Sequence, residues 1–496
     1  MSQTDTPDAY ETLLDHVEQT TYLSDAAQLL SWDQQVTMPA DGTPARAKQL
    51  SALSSVLHER QTDETLGEAL AALENAALTD EQAAVVREVA EGYEAATRVP
   101  ESLVRERTEL SAEAQETWES ARAADEFEQF APVLERRRAL ERERADHLDP
   151  DREPYRVMYE GLEPAFPEST VESIFDDLRD HLVPLIESIR ASPVTLAEPF
   201  EETHDEATQE ALNHEALELL GYDFDRGRLD TSVHPFTSGT QFDARVTTRF
   251  DPESPLEALN ATIHEFGHAT YMLGVPDEAY GTPLGSERYE IHESQSRFWE
   301  NHVARTEAFW EFFTPIFNDH LGTDFDARTL FEAANRIYPD NPIRVEADEL
   351  TYHMHIILRT EVERAFVAGE IDVDEIPWVW NDKMDEYLGV RPETDAEGCL
   401  QDVHWTGGFG GFQSYTIGSV AAAQLDATLR EELDDVDGLI RNGNFEPLLT
   451  WMEENVHAHG QRYTADELME VVTGEPLTAD YFLEYVESKF GELYDL

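Results

Sequence analysis

The chain has 496 residues, of which 105 are acidic and only 35 are basic, so its formal net charge at pH 7 is -70. Such a density of carboxylates repels nucleic acid and anionic membrane surfaces, which excludes both as expected partners. Because 41% of the residues are hydrophobic and they are spread along the whole chain, an acidic disordered protein is also excluded.

We interpret the charge as that of a protein from a salt-rich cytoplasm, where ions screen the repulsion between carboxylates. Cys399 is the only cysteine, so no intrachain disulfide forms and a reducing compartment fits. The N-terminal residues are polar and lack the apolar core of a signal peptide. No apolar run reaches the roughly 18 residues that a membrane span needs. The sequence therefore predicts a cytoplasmic protein.

The first part of the chain, from Tyr10 to about Ile189, has a helical apolar pattern almost throughout. Its most highly charged stretch, ERRRALERERADHL at 135–148, mixes arginines with acids. That mixture predicts a solvated helix face with ion pairs four residues apart. A nucleic-acid patch is the alternative, and the acids beside every arginine disfavour it.

The pattern changes at Arg228, where residues 228–250 alternate and are rich in Thr, Val and Phe. The alternation predicts a β-hairpin or small sheet with its turn at Ser238–Gly239. We expect the edge of this sheet to accept an extended peptide by strand addition. His234 in the same segment is a candidate substrate contact, with a purely structural histidine as the alternative.

Residues 254–274 follow directly and predict one complete helix. Ser254 is a suitable N-cap, Pro255 fits the first helical position, and Glu257 would complete a capping box. Gly274 and the proline two residues later predict the end of the helix.

Two histidines in this helix, His264 and His268, stand four residues apart and so point in the same direction. This spacing lets two imidazoles bind one zinc ion, with Glu265 between them as a general base. A bare H-E-x-x-H also occurs by chance on solvated helix faces. Here the helix has marked ends, and Gly267 is expected to keep bulk away from the metal, so we favour the metal site.

A zinc site needs a third protein ligand, and residues 288–313 predict a second long helix that could supply it. The candidates on that helix are Glu290, His292, Glu293 and His302. Spacing alone does not choose among them.

Further helices are predicted at 324–369, where Arg344 and Asp348 would share one face. His353 and His355 stand only two residues apart and would point in nearly opposite directions, which disfavours a joint metal site. The glycine-rich, aromatic stretch 398–418 is typical of an active-site loop.

Five ordered motifs carry a family resemblance. They are DARVT (243–247), HEFGH (264–268), HESQS (292–296), IRVEAD (343–348) and GCLQDVHW (398–405). In order and spacing they resemble the motifs of the M32 metallocarboxypeptidases, also called the Taq family. Two departures concern loops. Gly411, Phe412 and Gln413 stand where the family has Gly-Tyr-Phe-Pro, so the tyrosine and the proline are missing and the loop is one residue shorter, and Ala165 stands where the family has a glycine after Glu-Pro. Both put substrate preference in question rather than the chemistry.

The resemblance implies a mainly α, single-domain gluzincin over residues 1–496, with a deep substrate groove and a small sheet beside the zinc helix. Within it we expect an N-terminal helical part (1–227), a catalytic part (228–418) and C-terminal helices (419–496). It also implies a homodimer, Zn²⁺ with possible exchange for Co²⁺, and Glu293 as the third metal ligand.

The resulting hypothesis is a zinc carboxypeptidase of broad specificity that releases single residues from peptide C-termini by metal-activated water attack. His404 and Tyr415 are candidates for stabilising the oxyanion. Arg344 is the first candidate for reading the terminal carboxylate and Arg245 the second. Each has a structural ion pair as its alternative, with Asp348 for Arg344 and with Asp243 for Arg245. The competing functions are a zinc oligoendopeptidase and a catalytically silent peptide-binding zinc protein.

Overall fold

The computed structural model describes residues 8–162, 166–200 and 202–496. The altered Glu-Pro-Ala stretch at 163–165 lies outside these residues. The described residues form helices α1 to α20 in chain order: Asp8–Val36, Thr43–Gln61, Glu64–Leu73, Asp80–Arg98, Glu101–Ala124, Ala131–Leu148, Pro154–Glu160, Glu168–Ala191, Glu206–Leu220, Pro255–Gly274, Tyr289–Arg297, Glu307–Leu321, Ala327–Ala334, Thr351–Ala368, Ile376–Leu388, Gln413–Glu432, Val436–Arg441, Glu446–Asn455, Ala465–Thr473 and Asp480–Tyr494. The predicted mainly α fold is confirmed.

The described residues also form three strands, β1 (Gly227–Thr231), β2 (Thr237–Thr240) and β3 (Asp243–Thr248). They make one small sheet in the order β1-β3-β2, in which β3 is parallel to β1 and antiparallel to β2. The buried side of β3 packs against α10, so the predicted sheet beside the histidine-bearing helix is confirmed.

The turn of the β2–β3 hairpin lies at 241–242, not at Ser238–Gly239 as the sequence suggested, since both of those residues belong to β2. Gly239 is required for a different reason. Its φ is +150°, and a Cβ there would lie 1.9 Å from the Asp243 carbonyl oxygen. The glycine therefore allows the two backbones to approach rather than reversing the chain.

The chain divides into two compact units. Unit 1 comprises Met1–Thr97, Glu198–Ala334 and Leu425–Pro476, and unit 2 comprises Arg98–Ala197, Asn335–Gln424 and Leu477–Leu496. Unit 1 contains the sheet, α10 and α11, and unit 2 contains α5 to α8 and α14. The assignment of the whole chain to a single domain in three consecutive parts stays a prediction.

The boundaries of α10 agree with the prediction from the sequence, but the hydrogen bonds that cap its N-terminus do not. The helix begins at Pro255 and ends at Gly274, while the Ser254 side chain makes no capping hydrogen bond. The expected capping box is therefore wrong. The Glu257 amide instead donates to the backbone carbonyl of Ser254 at 3.2 Å.

The single long helix predicted after α10 is wrong in its continuity. Helix α11 ends at Arg297, a π-helical turn spans Phe298–Ala304, and α12 begins only at Glu307. Thr306 interrupts the helix with an extended backbone, and its hydroxyl accepts from the Phe309 amide at 3.2 Å. An apolar pattern of ordinary helical period does not reveal the wider π turn.

The charged stretch 135–148 forms most of α6, and one part of it is not the solvated face that we expected. Arg137 and Glu141 form the predicted pair at a spacing of four residues, with Arg137 Nη1 3.4 Å from Glu141 Oε1. Both side chains are almost completely buried, with 1% and 3% exposure. Within the described residues, no helix is both long and apolar enough to cross a membrane.

Candidate metal centre

Helices α10 and α11 of unit 1 bring together His264, His268 and Glu293. Glu293 Oε2 lies 3.7 Å from His264 Nε2 and 3.5 Å from His268 Nε2. One ligand atom from each residue lies within 4.8 Å of the others, and among the described residues this is the one such group of three. Two imidazole nitrogens and a carboxylate oxygen are a donor set that suits a catalytic zinc ion, so the residues fit the metal that the motif implies.

The close approach of the two helices depends on Gly267, which lies between the histidines in sequence. A Cβ at this position would lie 2.4 Å from the Gln295 carbonyl oxygen and 2.5 Å from Ser296 Cα. The glycine thus lets α11 approach α10 closely enough for Glu293 to reach the histidines. From the sequence we expected Gly267 to keep bulk away from the metal, whereas in the structure it makes room for α11.

Glu293 is held by its own helix. Arg297 Nε donates to Glu293 Oε1 at 2.8 Å, and the Ser296 hydroxyl, which donates to the Glu293 backbone carbonyl at 2.7 Å, lies 3.3 Å from Oε2. Burial alone would raise the pKa of Glu293, but Arg297 and the two histidines outweigh it and hold the pKa well below its usual range. The carboxylate is therefore ionised, as a metal ligand must be.

A second carboxylate, Glu300 in the π turn, orients the first histidine. Glu300 Oε2 lies 2.9 Å from His264 Nδ1, and since a carboxylate only accepts, the Nδ1–H donates and leaves the Nε2 lone pair for the metal. Arg297 Nη1 and Arg305 Nη2 donate to the same carboxylate at 3.0 and 2.8 Å. Sequence reasoning missed Glu300, because its position depends on the π turn.

The second histidine has a different partner. His268 Nδ1 lies 2.5 Å from Nδ1 of His292, one of the residues that the sequence left open as a third ligand. Burial and the neighbouring His268 hold the pKa of His292 well below its usual range, so this imidazole is neutral. A neutral ring accepts through one nitrogen, which allows His268 to donate its Nδ1–H and keep Nε2 free.

The other two candidates for the third metal ligand, Glu290 and His302, contact other residues. Glu290 lies 3.6 Å from Arg288 Nη1, and His302 Nδ1 lies 3.4 Å from Asp426 Oδ2. Neither belongs to the histidine–glutamate cluster.

Glu265 follows His264 on α10 and is buried, with 7% exposure. The Thr237 hydroxyl lies 2.8 Å from Glu265 Oε2 and also 2.8 Å from its backbone oxygen. Donation to Oε2 fixes one carboxylate oxygen and leaves Oε1 available for proton transfer. Thr237 lies in β2, and nothing in its sequence context pointed to this contact.

The remaining candidates in unit 1 are Arg245 and His234. Arg245 forms the ion pair with Asp243 that was its structural alternative, with Nη2 2.6 Å from Oδ2. Its guanidinium also stacks over Trp32, 4.3 Å from the ring centre. His234 is exposed in the loop between β1 and β2, where its backbone carbonyl accepts from the Ser232 hydroxyl.

Unit 2 contains an arginine cluster around Asp402. Arg344 Nη2 lies 2.8 Å from Asp402 Oδ1, and Arg359 Nε lies 2.5 Å from Asp402 Oδ2. The pair of Arg344 with Asp348, which was the structural alternative for this arginine, is wrong, because residues 344–346 form a short 3₁₀ turn and α14 begins only at Thr351. Asp348 instead caps α14 by accepting from the Thr351 amide at 2.9 Å.

His404 and Tyr415 lie beside this cluster. His404 Nε2 is 3.5 Å from the Tyr415 hydroxyl, and its Nδ1 is 3.9 Å from Asp402 Oδ1. Burial, which outweighs the attraction of Asp402, lowers the pKa of His404 to about 4, so the ring is neutral near pH 7. A neutral imidazole keeps one N–H donor and one acceptor nitrogen.

His353 and His355 diverge as predicted. His353 Nδ1 lies 3.1 Å from the Thr416 hydroxyl, whereas His355 Nδ1 lies 3.2 Å from Arg359 Nη1. They do not form part of a metal-binding group among the described residues.

Comparison with known proteins finds relatives that match nearly the whole chain. The family described as carboxypeptidase Taq (M32) metallopeptidase matches residues 12–490. Thermostable carboxypeptidase 1 of Thermus thermophilus is 38% identical over 514 residues, covering 99% of this chain and 100% of the relative. Carboxypeptidase 1 of Bacillus subtilis is 35% identical and covers 97% of each chain.

Solved structures of carboxypeptidases are also similar to this chain over nearly its whole length. The M32 carboxypeptidase from Deinococcus radiodurans R1 has a TM-score of 0.95 at 35% identity, covering 99% of this chain and 100% of that one. Trypanosoma cruzi metallocarboxypeptidase 1 has a TM-score of 0.94 at 32% identity, covering 97% and 99%. Sequence and fold therefore agree from end to end, and the chain belongs to the M32 family of metallocarboxypeptidases, which are peptide hydrolases.

Proposed function

We propose that the protein is a zinc-dependent carboxypeptidase of broad specificity, which releases single amino acids from peptide C-termini. The observation that carries this proposal is the cluster of His264, His268 and Glu293 with Glu265 beside it on α10. His264, His268 and Glu293 would hold the ion. When bound there, zinc would act as a Lewis acid towards water and the scissile carbonyl.

In this proposal Glu265 moves the proton. Its Oε1 takes a proton from the attacking water and then delivers it to the nitrogen of the leaving amine. The Thr237 hydroxyl holds Oε2 and so keeps the carboxylate in one orientation. Glu300 and His292 keep the two histidines in the tautomer that leaves Nε2 unprotonated.

We assign recognition of the terminal carboxylate to Arg344. Two arginines share the single carboxylate of Asp402, so this cluster carries one more positive charge than negative. A planar guanidinium with donors to spare suits a second carboxylate. His404 and the Tyr415 hydroxyl are donors beside it that would stabilise the developing oxyanion. Arg245, paired with Asp243 and stacked on Trp32, is the second candidate for the carboxylate, and His234 remains a candidate for a more distant substrate contact.

The proposal is tested by digesting a mixed peptide library and identifying the products by mass spectrometry, together with metal analysis of the purified protein. Stepwise loss of single C-terminal residues, and no cleavage of peptides with a blocked C-terminal amide, is the expected result. Internal cleavage of amidated peptides would identify an oligoendopeptidase. Any turnover excludes a silent peptide-binding protein, and the metal content decides between zinc and cobalt.

We further propose a homodimer, which the family resemblance implies, and an adaptation to a salt-rich cytoplasm, which the net charge of -70 supports. Surface carboxylates repel one another over a Debye length of about 10 Å at 0.1 M salt and about 3 Å at 1 M. The melting temperature is therefore expected to rise steeply between these concentrations, and a curve that is flat up to 2 M chloride would contradict the salt adaptation. Light scattering at molar salt measures the oligomeric state.

A further inference from the structure

Unit 2 contains a cavity of about 250 Å³ in whose lining His404 is the one residue that the proposed chemistry uses. Part of its wall comes from the helices α5 to α7, and part from the glycine-rich residues 407–412. Its charged lining residues are Arg107, Glu141, Arg144 and Glu363. Apart from His404, apolar side chains and glycines line the rest, with Phe409 and Phe412 among them.

The cavity has more positive charge than its own carboxylate neutralises. Glu141 Oε1 accepts from Arg107 Nε at 2.9 Å and from the buried Arg137 Nη1 at 3.4 Å. Arg144, which is half-buried, has neither an ion pair nor a hydrogen bond with any residue that the structure describes. On a chain with three acidic residues for every basic one, an arginine with no ion pair among the described residues is unusual.

Desolvation without a partner is unfavourable for a guanidinium. Burial and the neighbouring Arg107 outweigh the attraction of Glu141 and lower the pKa of Arg144, so the charged form is disfavoured there. An anion placed against Arg144 would remove this cost and form a charge-assisted hydrogen bond. Glu363, the fourth charged lining residue, does not supply that anion below neutral pH. Burial raises its pKa to about 7, so its carboxyl is mostly protonated there.

The cavity also adjoins the residues to which we assign substrate recognition. His404 lines the cavity, while its Nδ1 lies 3.9 Å from Asp402, the partner of Arg344. The phenylalanine rings favour a carboxylate on a short aliphatic stem over a fully hydrated inorganic anion.

We propose that this cavity is a subsite for an acidic side chain of the peptide substrate, with Arg144 as the partner of the glutamate or aspartate carboxylate. This inference rests on the proposed peptidase function. It implies that peptides with an acidic residue near the C-terminus are preferred over matched peptides in which an amide replaces that carboxyl.

The test compares kcat/KM for peptide pairs that differ only by Glu or Gln, at the last and at the second-to-last position, in one fixed potassium chloride concentration. Arg144→Gln is expected to reduce the Glu-to-Gln ratio at one position by roughly ten- to a hundredfold, as expected for loss of a charge-assisted hydrogen bond. Arg144→Lys should recover part of the ratio. Arg136→Gln is the matched control, because Arg136 lies on the same helix but is exposed and pairs with Glu113.

A second measurement does not depend on turnover. N-acetyl-glutamate N-methylamide carries its only carboxylate on the side chain, and NMR titration should show that it binds the wild type more tightly than the glutamine analogue does. Arg144→Gln should abolish this difference. If no peptide is cleaved at all, the proposed function fails, and the titration still tests the cavity.

If peptides are cleaved but neither the ratio nor the titration responds to Arg144→Gln, the subsite proposal is overturned while the peptidase function stands. Binding of the blocked glutamate that is lost in Arg144→Gln, together with an unchanged peptide ratio, would assign the cavity to a free carboxylate ligand. That outcome would overturn the substrate subsite as well.

Discussion

The metal cluster of unit 1 and the arginine cluster of unit 2 bury charge in opposite ways. In unit 1, the carboxylates of Glu293 and Glu300 are fixed by arginines, and oxygen and nitrogen lone pairs remain for a cation. In unit 2, one carboxylate, Asp402, lies between two arginines, and N–H donors are in excess. The first cluster suits a metal ion, and the second suits an anion.

This difference is informative because the whole chain is so acidic. With three acidic residues for every basic one, most carboxylates have no arginine or lysine available to pair with them. The arginines in these two clusters are nevertheless buried, as Arg344 and Arg359 are, or half-buried, as Arg297 and Arg305 are. We infer that they are positioned for function, since an ion pair placed only for stability gains little at the surface and costs desolvation inside.

The largest effect on activity is expected from replacing Glu265, the proposed general base beside the metal cluster. Glu265→Gln should retain the metal but lower kcat by roughly two to four orders of magnitude, because an amide takes no proton from the attacking water. The measurement is kcat beside the metal content of the same preparation. Near-normal turnover with metal bound would falsify the role of Glu265 as the base.

The next effect concerns the pH dependence of stability in unit 2, where two buried carboxyl groups behave differently. Burial would raise the pKa of Asp402, but its two arginines hold it well below the usual range. Glu363 accepts hydrogen bonds from the Trp405 indole at 2.8 Å and the Gly410 amide at 3.0 Å but has no ion pair among the described residues. Burial therefore raises its pKa from 4.5 to about 7.

The folded state thus binds the Glu363 proton more tightly than the unfolded state does. The stability that this proton contributes is fully present below about pH 4.5 and is lost as the pH rises through about 7. The loss should approach about 3 kcal/mol, which is roughly two orders of magnitude in the unfolding equilibrium. Urea unfolding of the wild type and Glu363→Gln at fixed molar salt should show their difference changing across this window. A constant difference would mean that Glu363 is ionised throughout.

Arg344→Ala is expected to reduce kcat/KM for peptides with a free C-terminus by up to roughly a hundredfold, because it removes a charge-assisted clamp. The fold should persist, since Asp402 keeps its pair with Arg359. Arg344→Lys is the matched control, because it keeps the charge and loses the planar fork. If the wild type cleaves amidated peptides as well as free ones, the anion-binding role of this cluster is wrong.

The sequence predicted the parts of these clusters that lie within one regular helix. His264 and His268 share α10, so a spacing of four residues was enough to place them on one face, with Glu265 next to the first of them in the chain. The choice of Glu293 came from a family resemblance, because its approach depends on how α11 packs against Gly267. That packing is a tertiary contact, which periodicity does not encode.

The parts that were missed depend on irregular backbone or distant partners. The contact of Glu300 with His264 depends on a π turn inside an otherwise ordinary helical pattern. Asp402 lies 58 residues from Arg344 in sequence, so the nearer Asp348 was the only acid that spacing alone suggested as a partner. The cavity around Arg144 likewise combines segments that are far apart in the chain.

The smallest expected effect is on zinc affinity, and it compares the two histidines of the metal cluster, which have different hydrogen-bond partners. His264 donates to the carboxylate of Glu300, whereas His268 faces the neutral ring of His292. A carboxylate acceptor raises the basicity of an imidazole more than a neutral acceptor does, so Glu300 should contribute more to metal affinity. Glu300→Gln is expected to weaken zinc binding by roughly tenfold or somewhat more, and His292→Asn by less.

Apparent zinc affinities of the two variants can be compared by competition with a chelator at one pH and one salt concentration. Glu253→Gln removes the same charge from an exposed position and serves as the control for the general field of the protein. If Glu253→Gln loses as much zinc affinity as Glu300→Gln does, the loss comes from the change in net charge and not from the contact with His264. Equal losses in Glu300→Gln and His292→Asn would mean that fixing the tautomer, which both partners do, matters more than the charge that only Glu300 carries.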